Sequence, residues 1–148
     1  DTLTVDGHTI TFKTGAPPAA GSVPAGSAVS GNIVTDGSGI SSVYLNAGAG
    51  KVSDLLNAID LATGVQTATF TGGGNAPIAA SVPATGTAAT VTAGKLVIST
   101  GTAADLAISS SNSTLLASLG IGTGTATTSL ARTASTNSNL AQGTVLDV

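Results

Sequence analysis

Large side chains are the scarce material of this chain. Phe12, Tyr44 and Phe70 are its only aromatic residues, so whatever core forms must be assembled from Leu, Ile and Val. Those three with Phe make up roughly a quarter of the sequence, above the ~20% below which disorder is favoured, and the net charge is only -3. A folded chain is expected, and 148 residues fit one domain spanning 1–148. Most of the remainder is Ala, Gly, Ser and Thr, and the abundance of Thr and Val tilts the class toward β.

Charge is equally sparse. Every acid is an Asp, and the bases are Lys13, Lys51, Lys95 and Arg132. Four scattered bases cannot neutralise the run of phosphates on which non-specific nucleic-acid affinity depends, nor do they form a polybasic membrane anchor. No apolar run approaches the ~20 residues of a membrane-spanning helix. We therefore expect neither nucleic acid nor membrane as a partner. Absence of Cys excludes disulfides, thiolate metal sites and Cys nucleophiles. No positively charged leader precedes an apolar core. The first residue is Asp1 rather than Met, and both ends read as strands. These features lead us to expect a segment of a longer protein.

Leu3, Val5, Ile10 and Phe12 alternate around Asp6-Gly7, which predicts a tight hairpin. Residues 15–31 hold three of the five prolines and predict a Gly/Pro loop. A second hairpin is expected from NIVT and SSVYLN around Asp36-Gly37-Ser38-Gly39. The next stretch, LNAGAGKVSDLLNAIDLATGVQTATF, reads as strand, helix, strand. In it Ser53 is the expected N-cap, Asp54 lies in the first turn, Leu55, Leu56 and Ile59 share a face, and Gly64 ends the helix.

A second Gly/Pro loop is expected over 71–88, then a third hairpin turning at Ala93-Gly94 and a strand in ADLAIS. Asn112 or Ser113 should cap a short helix holding Leu115, Leu116 and Leu119 before Gly120, with Ile121 packing back over its end. The run from 122 to 143 should be irregular or extended, and Val145 to Val148 a closing strand. LTVDGHTITFKTG and ATVTAGKLVISTG share a loose cadence, each ahead of an S-x-L-L helix, which is consistent with an internal duplication.

Candidate chemistry is thin. His8 is the only imidazole, so a Ser-His-Asp triad would need it, oriented by Asp6 or a distant acid; its position after a hairpin turn reads instead as a solvent-facing strand residue. Asp36-Gly37-Ser38-Gly39 lacks the Glu of a calcium loop and reads as a turn. The seven aspartates are dispersed, with no pair at hydrolase spacing in sequence.

Gly48-Ala49-Gly50-Lys51 resembles the end of a phosphate loop, but Leu45 stands where its first Gly belongs and Val52 where Ser or Thr would bind magnesium. Gly72-Gly73-Gly74 has no neighbouring Lys. Asn112-Ser113-Thr114 fits the N-glycosylation pattern, yet serves better as a helix cap. The leucines and Ile59 of the two helices read as core rather than as partner-binding faces. No catalytic, cofactor-binding or metal-binding residue is assigned, and an enzyme is not expected.

The Leu3–Phe12 hairpin, KVSDLLNAI, VQTATF and GKLVISTGTAADLAIS follow the order of the hook IN motif of bacterial flagellins, with Ile59-Asp60 where the motif often has Ile-Asn. LLASLGIGTGT is similar to the phrase that often follows that motif. The chain thus resembles the hypervariable outer region of a flagellin over about Leu3 to Thr125. That resemblance implies a structural, extracellular role on the bacterial flagellum in support of motility. It also implies export in an unfolded state, contacts with neighbouring flagellin subunits through core domains outside these residues, and in some members O-glycans on Ser and Thr.

The expected fold is α+β, dominated by antiparallel β-hairpins with two short helices packed on the sheets. The isolated domain is expected to be a monomer. The alternative function, a carbohydrate-binding or adhesive module of a secreted surface protein, would have only Tyr44 for stacking on a sugar.

Overall fold

A computed structural model of the chain describes residues 1–36, 38–46, 50–70, 78–81, 88–92, 95–98, 106–119, 127–130 and 144–145. Strands β1 (Thr2–Val5) and β2 (His8–Thr14) form the expected first hairpin. Its turn has φ 49 at Asp6 and φ 84 at Gly7, the two successive positive values of a type I′ turn, which Asp-Gly tolerates best. Alternation along the strands then sends Leu3, Val5 and Ile10 to one face, where each is fully buried.

Pro17, Pro18 and Pro24 lack the N–H a sheet ladder needs, and the chain after β2 crosses the fold with one short 3-10 turn at Ala20–Ser22. It then enters an antiparallel meander of β3 (Ala28–Ser30), β4 (Ile33–Thr35) and β5 (Ser41–Leu45). The β4–β5 hairpin lies where its turn signal predicted. β3 does not: the loop expected over 15–31 gives way to a strand at Ala28, a three-residue pairing too short to leave a periodic pattern.

The meander brings β5 beside β2 and parallel to it, with Phe12 opposite Val43. The expected antiparallel hairpins are thus joined through a parallel pair, and the sheet is mixed. Hairpin signals are local, whereas this pairing is set by a crossover that no short pattern records. Among the described residues the sheet has seven strands in the order β11-β10-β1-β2-β5-β4-β3. Here β10 (Leu106–Ser110) is antiparallel to β1 and β11 (Thr127–Leu130) pairs with β10. β11 supplies a paired strand within the run expected to be irregular or extended.

Helix α1 (Val52–Ala62) packs against β2 and β5, burying Leu55, Leu56, Ala58, Ile59 and Ala62. It starts earlier than expected, and its N-cap is Lys51 rather than Ser53. An ammonium has no acceptor to offer a helix start, so Asp54 supplies the tie. Its Oδ2 accepts the Lys51 N–H at 2.9 Å and Asn32 Nδ2 at 3.0 Å, fixing the helix start to the β3–β4 turn. Thr63 is the C-cap, its N–H on the Ile59 carbonyl at 2.9 Å, and Gly64 follows.

A three-stranded antiparallel sheet, ordered β12-β9-β8, comprises β8 (Thr90–Thr92), β9 (Lys95–Ile98) and β12 (Thr144–Val145). From it Ile98 enters the same core as α1. β6 (Thr67–Phe70) and β7 (Ile78–Ser81) pair separately, so the loop expected over 71–88 contains a strand. Helix α2 (Ser113–Ser118) packs on β10, with Leu116 fully buried. The Ala93-Gly94 turn, Ile121 and Gly72-Gly73-Gly74 lie outside the described residues, as do Ala47, Gly48 and Ala49.

The opposite face of the large sheet is hydroxyl-rich. Its cross-strand rows run Thr2–Thr11–Ser42 and Ser109–Thr4–Thr9, all half-buried. Threonine suits such a face because its branched Cβ favours strand geometry while its hydroxyl stays hydrated.

The β4–β5 turn is pressed onto the end of α1. Gly39 has φ +99, and a Cβ there would lie 2.8 Å from Ala62 Cα and 3.0 Å from the Leu61 carbonyl oxygen. Neither backbone atom can swing aside. Denaturant melts should show Gly39→Ala losing at least about 2 kcal/mol, from left-handed strain plus overpacking. Leu56→Ala and Ile59→Ala should each lose about 2–5 kcal/mol by leaving cavities. A Gly39→Ala variant within about 0.5 kcal/mol of the parent would contradict this close approach, since only surface substitutions are normally so mild.

Candidate functional site

The candidate residues of the sequence scatter rather than converge. Asp6 opens the first turn and fastens it to β10: its Oδ1 accepts the Ala107 N–H at 2.7 Å, and its own N–H donates to the Ala107 carbonyl at 2.9 Å. His8 is half-buried rather than solvent-facing, because Gly39 packs beside it; a Cβ on Gly39 would sit 3.1 Å from His8 Nδ1. Among the described residues, none of the hydrogen bonds joins this imidazole to a hydroxyl or carboxylate. Asp6 and His8 therefore serve the turn and the helix end separately.

Asp36 closes its own turn. Its Oδ1 accepts the N–H groups of Ser38 at 2.9 Å and Ile40 at 3.2 Å, and Ser38 Oγ donates to the same carboxylate at 2.9 Å. Asn112 caps α2: its Oδ1 accepts the Thr114 N–H at 3.0 Å and the Thr114 hydroxyl at 2.8 Å. The amide nitrogen of Asn112 donates to Asp1 Oδ2 at 3.4 Å. Asn112 Oδ1 and the Thr114 hydroxyl of the glycosylation-like triplet are thus engaged in the cap, and the Asn112 amide nitrogen is tied to Asp1. Among the described residues, no cluster of three or more His, Cys, Asp or Glu side chains could hold a metal ion.

Two concavities flank α1. One, of about 150 Å³, lies against the β3–β4 turn and is lined by Ser30, Asp54, Asn57 and Leu61 among others. The other, of about 290 Å³, opens between the starts of α1 and the end of α2, over Phe12, Val43, Leu45, Val52, Leu55, Leu115 and Leu119, with Asp1 and Lys51 beside them. Leu115 and Leu119, expected in the core, are only half-buried because they line this groove. Its chemistry is that of an apolar recess. On the outer face of the sheet Lys13 Nζ sits 5.6 Å from the centroid of the Tyr44 ring, a cation–π distance.

The most unusual group is one to which sequence reasoning gave no role. Asp60 is 0% exposed. Its Oδ2 accepts the Ala89 N–H at 2.8 Å and Gln66 Nε2 at 3.0 Å, while Oδ1 has no hydrogen-bond partner among the described residues. Gln66 is itself held by its N–H on the Asp60 carbonyl at 2.9 Å, and Nε2 reaches Asn57 Oδ1 at 3.4 Å. The signal was present in the helix: Asp60 stands one residue after Ile59 and four after Leu56, on the apolar stripe.

These features define an α+β domain on a mixed sheet whose polar residues act chiefly as turn closures, caps and one buried staple. The chain belongs to the family described as Domain of Unknown Function (DUF1522), whose family model matches residues 1–146. No curated protein and no solved structure matches it.

If Asn112 is chiefly a cap, Asn112→Ala should cost about 1 kcal/mol in a denaturant melt. A loss below about 0.3 kcal/mol, less than cap deletions ordinarily cost, would remove the cap as the reason for this residue.

Proposed function

We propose that this domain is the outer, surface-exposed region of a bacterial flagellin, a structural part of an extracellular flagellar filament that supports motility. The observation carrying this reading is the agreement between the flagellin-like phrases and the elements they form. Leu3–Phe12 falls on the β1–β2 hairpin, KVSDLLNAI on α1, the end of VQTATF on β6, the KLVI of GKLVIS on β9 and the LAIS of ADLAIS on β10.

The departure from the hook IN motif is chemically small. At position 60 the fold uses a buried side-chain oxygen to accept the Ala89 N–H and the Gln66 amide, and an asparagine carbonyl offers the same acceptor. In this reading the partners are neighbouring subunits, met through core helices outside these residues. The adhesive alternative would rest on Tyr44, whose ring already carries Lys13, so it has less support.

Immunogold electron microscopy with an antibody raised against residues 1–148 tests the proposal on cells that make the full-length protein. Gold should line intact flagellar filaments along their length. Unlabelled filaments beside antigen held inside the cell, or on a different surface structure, would overturn it.

A further inference from the structure

Asp60 carries an inference that does not depend on the flagellin reading. A carboxylate sealed from water is stable as a charge only if cations or enough hydrogen-bond donors surround it. Among the described residues, one oxygen has two donors and the other has none.

Among the described side chains, the charged and titratable groups on the packed elements do not compensate. Lys51 and Asp54 lie at the far end of α1, and Asp54 is tied to Lys51 and Asn32. On β2 and β5, Lys13 and Tyr44 point to the outer face of the sheet, away from the core residues Phe12 and Val43. His8 packs at Gly39 over the last turn of α1. The Lys95 side chain on β9 lies outside the described residues.

We propose that Asp60 is a proton-operated latch: as the carboxylic acid, with its proton on Oδ1, it pins Ala89 and the start of the β8–β9 sheet to α1, and as the carboxylate it lets that contact open to water. Oδ2 remains the acceptor for Gln66 and Ala89 in the closed form, and the proton goes to the oxygen that has no donor.

Burial pushes the Asp60 carboxyl up from 3.8 to about 6, against the two hydrogen bonds, which pull it down. The folded protein therefore holds a proton between about pH 4 and pH 6 that the opened form releases. The closed state weakens as pH rises through that interval and levels off above it. Paired surface carboxylates give the opposite slope.

Hydrogen exchange at the Ala89 amide, corrected for the intrinsic rate, tests this on the whole chain at pH 5 and pH 8, with D60N and H8N as variants. Protection in the parent should be about 10-fold greater at pH 5, the ratio that linkage gives between these two pH values for a carboxyl raised from 3.8 to about 6. D60N should show the same protection at both pH values, and H8N should keep the parent's difference. Parent protection that is equal or lower at pH 5, a D60N that retains the difference, or an H8N that abolishes it would each overturn the latch. Should D60N fail to fold, the carboxyl-carbon NMR titration of Asp60 in the unaltered protein decides. A midpoint near 6 supports the proposal, and one below about 4.5, close to an unburied Asp, refutes it.

Discussion

One contact organises this molecule: the apolar face of α1 laid over the centre of a mixed sheet. Leu55, Leu56, Ile59 and Ala62 meet Ile10 and Val43 in a core that also draws in Ile98 from the smaller sheet and Leu116 from α2. Each large aliphatic side chain buried is worth ~1.5–3 kcal/mol, and a domain's whole stability is ordinarily ~5–15 kcal/mol. With so few large side chains, no satellite cluster can replace this one. The polar ties around α1 serve that contact. Asp54 fixes its start to the β3–β4 turn, Gly39 admits the β4–β5 turn to its end, and Asp60 fastens the chain that follows.

What the sequence disclosed was what a short window contains. Asp6-Gly7 between alternating apolar residues gave the first hairpin, and the Leu55, Leu56, Ile59 spacing gave α1. Asn112 or Ser113 before an apolar run gave the start of α2, and Asn112 is the residue that caps it. What stayed hidden was long-range or too brief: the parallel pairing of β2 with β5, the three residues of β3, and the β7 and β11 strands inside stretches rich in Gly, Pro and small polar residues. The N-cap was misplaced because Ser53 is the better capping residue, whereas Asp54, reaching back to the Lys51 N–H, decided where the helix begins. Half-burial of Leu115 and Leu119 likewise depends on a groove that only tertiary packing creates.

Asp60 is a candidate-site residue whose location was legible and whose role was not. The helical stripe put a carboxylate among aliphatic side chains, but the identity of its donors came from Gln66 and Ala89, which no periodicity links to it. Both ends of the excursion from Gln66 to Ala89 return to a single carboxylate oxygen. That staple closes the excursion at its base.

The position of β1 has a bearing on how the chain reaches this state. One neighbour, β2, follows at once, but the other is β10; Thr2 and Ser111, which exchange hydrogen bonds at that junction, are 109 positions apart. Until the chain has been supplied past Ser111, the first hairpin has an open edge and half its ladder missing. Closing so long a loop carries an entropic cost before any contact rewards it, so such a topology folds late and slowly compared with one built from neighbours. The N-terminal strand is thereby kept waiting for the distal half of its own chain, and folding becomes an event of the complete domain rather than of its leading end.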